Sequence, residues 1–194
     1  DEYLQSIWQP LVKSAQARGE LSPELMARFA WKILVGRDRS VNAFALPGGK
    51  VVIQTGLIDH AKSWEEVLGV VGHELAHVTC RHHLRGVINN LGLFVIVSSF
   101  IGDFNSAAGA IINTGGDLAS LSNDRAFETE ADETGMNYLI ASQIDPKGMI
   151  SFFKTLKKES GSKMEDYTSF MSTHPATSER IQHLNDILKN KKYL

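Results

Sequence analysis

Along the first eighteen residues, apolar side chains recur at intervals of three and four: Leu4, Ile7, Trp8, Leu11, Val12 and Ala15, with Gln5, Gln9, Lys13 and Arg18 on the other faces. That is the period of an amphipathic helix, and Pro10 within it predicts either a later start or a kink. From Ala27 to Thr55 the period shortens. Phe29 to Val35, Val41 to Leu46 and Val51 to Ile53 are short β-rich runs; Gly36 to Ser40 separates the first two, and Pro47-Gly48-Gly49 reads as a hairpin turn between the last two. The expectation is a small antiparallel sheet. Beyond Gly56 the pattern is helical almost throughout. Ser63-Trp-Glu-Glu66 fits a capping box, opening a helix expected to run to about His82. Further helices are expected from near Asn123 to Ser142, from Pro146 to before Gly161, and from Ala176 to Asn190 behind Pro175. No repeat or low-complexity linker interrupts the pattern. The expectation is one α+β domain over residues 1–194, mostly helical with a small sheet.

One stretch stands apart. Gly86 to Gly102 carries no charge and contains Leu91-Gly-Leu-Phe-Val-Ile-Val97. A membrane-crossing helix needs about twenty mainly apolar residues, and Asn89, Asn90, Ser98 and Ser99 interrupt this one. A buried core helix is the favoured reading, with a membrane-touching or partner-docking surface as the other. The rest of the composition is ordinary: 43% hydrophobic and 22% charged residues among 194, which fits neither disorder nor a fibre. A net charge of −2 argues against non-specific binding to nucleic acid or to an anionic membrane. The single cysteine, Cys80, excludes an internal disulfide framework or a multi-cysteine zinc site. The opening residues have no basic-then-apolar signal pattern, and the first residue is not Met, so removal of an upstream segment is one expectation.

The chemistry concentrates in the helix behind Ser63, which reads Val70-Val-Gly-His73-Glu74-Leu-Ala-His77. In this H-E-x-x-H pattern, four residues turn a helix by about 400°, so two imidazoles lie one above the other on one face. That spacing lets two ring nitrogens meet one tetrahedral zinc. Glu74, about 100° round from His73, can reach water on the metal without ligating it. Val67, Leu68, Val70 and Val71 predict burial of the helix. A third ligand is required, and a position left open for substrate. Cys80 could face the site, although a small buried side chain is its commoner role. The better candidate is Arg125-Ala-Phe-Glu128-Thr-Glu130-Ala-Asp132-Glu-Thr-Gly135, where Glu128 and Asp132 share a helix face. Glu128 offers an oxygen ligand, and Asp132 can accept the free ring N–H of a ligating His. This is a gluzincin-type arrangement, with Glu130 on another face.

These residues resemble peptidase family M48 of zinc metalloendopeptidases, which includes the Ste-type CAAX prenyl protease, Oma-type proteases, HtpX and periplasmic bacterial relatives. The resemblance runs from Val41 to Ile181. It is carried by Asn42-Ala-Phe-x-x-Pro47-Gly-Gly and the following Gly56-Leu57, by the H-E-x-x-H motif, by Glu128-x-x-Ala131-Asp132, and by a tail, His174-Pro175-x-x-x-x-Arg180-Ile181. It implies one Zn²⁺ per chain held by His73, His77 and Glu128, with Glu74 as general base and Asp132 supporting a ligand. It also implies that His174 approaches the site and that Arg180 contributes to it; the expected role for either is a second oxyanion donor, and for His174 a latch on the open metal position is a further reading. The plainer readings are a helix-start residue for His174 and a pairing of Arg180 with Glu179 or Asp186. His60, His82, His83 and His183 read as exposed; Trp8, Trp31 and Trp64 read as core. The implied substrate is a protein or peptide bound as an extended strand beside Ala43 to Ile53. The implied location is periplasmic or outer-membrane associated. A rival is a chaperone-like scaffold docking clients on residues 86–116.

Overall fold

The structure is a computed structural model and describes residues 2–46, 48–88, 125–159 and 167–191. The uncharged stretch and its docking reading therefore fall, past Ile88, outside the described residues. Helix α1 (Glu2–Ala17) starts where its periodicity does and continues through Pro10, which lies on its exposed face. Trp8, Leu11, Val12 and Ala15 form its buried stripe. The short α2 (Pro23–Arg28) is capped by the Ser22 hydroxyl. Three strands follow: β1 (Lys32–Gly36), β2 (Ala43–Leu46) and β3 (Lys50–Gln54).

The sheet is mixed rather than antiparallel. Its order is β1-β3-β2, with β3 antiparallel to β2 but parallel to β1, Ile33 opposite Val51 and Ala43 opposite Ile53. The hairpin is as expected, turning through Gly48 and Gly49 at φ +84° and +82°, values that glycine adopts without penalty. The incorrect expectation was the first pairing. Alternation along a strand shows which side chains face inward, but not which strand becomes its neighbour. Here β3, whose Val51 and Ile53 are fully buried, takes the centre, leaving β2 on an edge.

After α3 (Thr55–His60), the Ser63 side chain caps α4 (Trp64–Thr79) by accepting from the Glu66 N–H. Glu66 itself is buried, accepting from the Lys62 N–H and the Ser151 hydroxyl. Helix α4 stops at Thr79, short of the expected His82. Cys80 caps it, Arg81 turns to φ +56°, and residues 82–88 are helical again. Helices α5 (Arg125–Ala141), α6 (Lys147–Glu159), α7 (Thr168–Thr173) and α8 (Ser178–Asn190) complete the described chain. Pro175 does not open the last helix. The Thr177 hydroxyl does, accepting from Arg180 N–H, and the short α7 ahead of it was not foreseen.

Helix α4 is the centre of the packing: β2, α5 and α6 all lie against it, and Leu75, Met136, Phe152, Phe153 and Phe170 belong to one continuous core. Of the three tryptophans, Trp8 and Trp31 are core residues, but Trp64, at the first position of α4, is 40% exposed. The close approaches fall at glycines. A methyl on Gly69 would lie 2.6 Å from the Cα of Met149, and one on Gly135 would lie 3.0 Å from the Gly72 backbone. Gly69→Ala is therefore expected to cost about 1–3 kcal/mol of stability in urea melts.

Candidate metal centre

His73 and His77 point from one face of α4 into the space between α4 and α5, and their Nε2 atoms are 3.1 Å apart. Glu128, from the first turn of α5, meets both: Oε2 is 3.4 Å from His73 Nε2, and Oε1 is 3.3 Å from His77 Nε2. His174, just past the end of α7, enters from the third side, its Nδ1 3.3 Å from His73 Nε2 and 3.0 Å from Glu128 Oε1. All four side chains are buried, and their donor atoms lie within 4.8 Å of one another.

These spacings test whether a metal fits. Four ligands at 2.0–2.1 Å from a tetrahedral zinc stand about 3.3–3.4 Å apart, and the closest donor pairs above span 3.0–3.4 Å. Electrostatics agree. Burial pushes the His73 imidazole down, but Asp132 and Glu128 outweigh it and hold its pKa at about 9. Burial would raise the Glu128 carboxyl, yet His174, His73 and His77 hold it well below the ordinary range. His77 is held well below its ordinary value, chiefly by burial, with His73 and His174 adding to it. His73 and Glu128 thus favour positive charge beside them while His77 does not, and a divalent cation suits the lone pairs of all three.

Glu74 lies beside the donors. Its Oε1 is 3.3 Å from His174 Nε2, and its Oε2 accepts from the backbone N–H of Ala45 on β2. Asp132, one turn after Glu128, sits with Oδ1 3.0 Å from His73 Nδ1. Arg180 clamps Asp132 from the other side, donating from Nε and NH2 at 2.7 Å each, while NH1 reaches Glu128 Oε2 at 2.7 Å and the Pro175 carbonyl at 3.0 Å. Its guanidinium lies over the Phe153 ring. The pairing of Arg180 with Glu179 or Asp186 is thus replaced by a buried one.

The other histidines sort differently from the expectation. His82 is 3% exposed, not exposed, and its Nδ1 is 2.9 Å from His77 Nδ1. His60 is half-buried, bonded to the Gly56 carbonyl and edge-on to Tyr167. His183 is partly exposed and pairs with Glu133, and His83 is exposed. Cys80 faces Thr134, and burial raises its thiol pKa. Sequence spacing missed His82 because it lies five residues after His77, off the helical face. Only the break at Arg81 brings it back.

A helix-borne H-E-x-x-H pair, met by a carboxylate from a second helix, defines the gluzincin class of metallopeptidase domain. The chain belongs to peptidase family M48, whose model matches residues 1–188. It is 33% identical over 185 residues, 95% of the chain, to the mitochondrial metalloendopeptidase OMA1 of Arabidopsis thaliana. It is 32% identical over 161 residues, 80% of the chain, to the metalloprotease LoiP of Escherichia coli, and 29% identical over 158 residues, 76% of the chain, to the beta-barrel assembly-enhancing protease of Yersinia pestis. The chain spans 37%, 61% and 32% of these relatives' lengths, respectively.

The buried Arg180–Asp132 pair carries a stability prediction. Removing one partner of such a pair leaves a buried charge uncompensated and costs about 3–5 kcal/mol. Arg180→Ala is expected to lose that much in urea melts of metal-free protein.

Proposed function

We propose that residues 1–194 form one catalytic domain, a zinc-dependent metalloendopeptidase acting on protein or peptide substrates. The observation that carries this reading is the buried quartet of His73, His77, Glu128 and His174, with donor spacings that suit a tetrahedral metal. His73, His77 and Glu128 are the assigned ligands for one zinc per chain. When bound, zinc acidifies water and polarises a peptide carbonyl. Glu74 takes the water proton on its carboxylate and passes it to the leaving amine. Asp132, with Oδ1 3.0 Å from His73 Nδ1, would accept that ring N–H and so fix the tautomer that leaves the Nε2 lone pair free for a metal. Arg180, with Nε, NH1 and NH2 all engaged, holds Asp132 and Glu128 in place rather than serving as the oxyanion donor.

His174 takes the fourth position in this reading. A hydrolytic site needs that position open, so His174 is assigned as a latch that withdraws when substrate arrives. Its placement on a single residue linking α7 to Pro175 and the α8 cap leaves it off any helix. The substrate is assigned to the outer edge of β2, paired as an added strand; the Ala45 N–H lies on that edge, next to Glu74. For location, we propose the bacterial envelope, periplasmic or tied to the outer membrane. The name of the Yersinia relative supports it, whereas the OMA1 relatives are mitochondrial. Among the described residues, no helix is long and apolar enough to cross a membrane.

Elemental analysis of chelator-free protein tests the metal: about one zinc per chain is expected in wild type, and loss or strong weakening in Glu128→Ala. Well-folded wild type without zinc ends the reading. With an unfolded protein such as casein as substrate, Glu74→Gln is expected to keep zinc and abolish cleavage. His174→Ala is expected to retain zinc and cleave faster than wild type. A slower His174→Ala enzyme would instead return His174 to the role of oxyanion donor.

A further inference from the structure

The two proposed histidine ligands are supported unequally. Asp132 backs His73 directly. Among the described residues, an imidazole rather than a carboxylate backs the outer nitrogen of His77. His82 brings its Nδ1 to 2.9 Å from His77 Nδ1, and its Nε2 to 3.2 Å from Glu130 Oε2. Glu130 is in turn gripped by Arg85 at 2.6 Å. The His82 ring is fixed edge and face: it stacks on Phe127 with centroids 4.6 Å apart and planes 10° apart, and the Arg85 guanidinium lies over the same Phe127 ring.

Proton bookkeeping assigns direction along this chain. Two facing ring nitrogens share one proton. If that proton belonged to His82, neutral His77 would carry its own hydrogen on Nε2, aimed at the Nε2 of His73 and at Glu128, and could not ligate. If it belongs to His77, the His77 Nε2 lone pair is free for the metal. His82 then accepts at Nδ1, carries its own hydrogen on Nε2, and donates to Glu130. Both nitrogens of His77 and both of His82 are then used, and this is the only arrangement compatible with metal binding by a neutral His77.

We infer that His82 is a positioning residue for the metal centre, accepting the Nδ1–H of His77 and relaying that bond to Glu130 and Arg85. The inference rests on His77 being a ligand. The backbone supports it independently. Arg81 occupies φ +56°, a conformation uncommon for a residue with a side chain, and that turn is what ends α4 and swings His82 back against His77. Cys80, His82 and Glu130 also lie close enough to suggest a separate metal site. However, both nitrogens of His82 are already engaged, Glu130 is held by Arg85, and Cys80 is turned to Thr134.

The test is zinc affinity, measured by competition with a chromophoric chelator on the whole chain, with the visible spectrum of the cobalt-substituted protein as a second readout. His82→Leu removes the acceptor while keeping an apolar filler on Phe127. Supports of this kind are worth about 10–100-fold in metal affinity, and that loss is expected, with an altered cobalt spectrum. His82→Asn places an amide oxygen where Nδ1 stood and is expected to recover most of the affinity. Glu130→Ala, at a side chain 43% exposed, should leave the fold intact and weaken zinc by a smaller factor; it carries the test if His82→Leu melts below the assay temperature. Wild-type affinity in both His82→Leu and Glu130→Ala overturns the inference, as does equal weakening in His82→Leu and His82→Asn, which would make His82 packing alone. Two zinc ions per wild-type chain, one lost in Cys80→Ala, overturn it too, because His82 would then be a ligand. Wild type without zinc removes the proposed function and this inference together.

Discussion

Gly72 and Gly135 face each other where α4 crosses α5, and neither has a side chain to hold the backbones apart. At that separation, the carboxylates one and two turns back along α5 reach the imidazoles on α4. A carboxylate side chain is only a few ångströms long, so a helix pushed outward by one methyl would leave Glu128 and Asp132 short of His77 and His73. The centre thus depends first on packing and only then on electrostatics: the two glycines set the distance across which every later charge interaction operates.

Given that distance, the problem is to hold several buried lone pairs and negative charges close together. The chain solves it twice, by parallel means. On one side, His73 leans on Asp132, and Asp132 is gripped by Arg180, which comes from α8. On the other, His77 leans on His82, then Glu130, then Arg85. Each series ends in an arginine stacked on a phenylalanine, Phe153 for one and Phe127 for the other. The aromatic faces fix the planes of the guanidinium groups; Arg180 then binds Asp132 in a two-pronged fork, while Arg85 meets Glu130 through NH1 alone. The first series is buried throughout, whereas the second runs outward to half-exposed residues. Their resistance to salt should differ accordingly, since only the outer arm is screened by solvent ions.

The legible parts of the sequence were those governed by local geometry. His73 with His77, and Glu128 with Asp132, each stand four residues apart on a helix, so a spacing rule places them on one face. The Ser63 cap and the Gly48-Gly49 turn were legible for the same reason: a few adjacent residues decide them. What spacing could not provide was non-local. The parallel pairing of β1 with β3 depends on which strand the core selects for its centre. Arg180 finds Asp132 across 48 residues rather than an acid on its own helix. Trp64 looked like core by its type, but occupies an exposed helix start. His82 was misread because it follows a break in the helix that periodicity carried straight through. A signal was there: α4's apolar pattern weakens after Val78, and Cys-Arg-His-His is a poor continuation of it.

The edge of the sheet carries one more consequence. The Ala45 N–H lies on the outer side of β2, and Glu74 already uses it. One amide hydrogen cannot serve two strong acceptors at once. Any extended chain that came to lie along that edge with a carbonyl opposite Ala45 would compete for the hydrogen, and the carboxylate would be turned loose as the strand seated. Arrival of a guest backbone and release of the Glu74 carboxylate would then be one displacement. A small molecule that reached the centre without pairing to β2 would leave Glu74 tethered, so an edge of this kind would tell polymers from fragments by the backbone they offer.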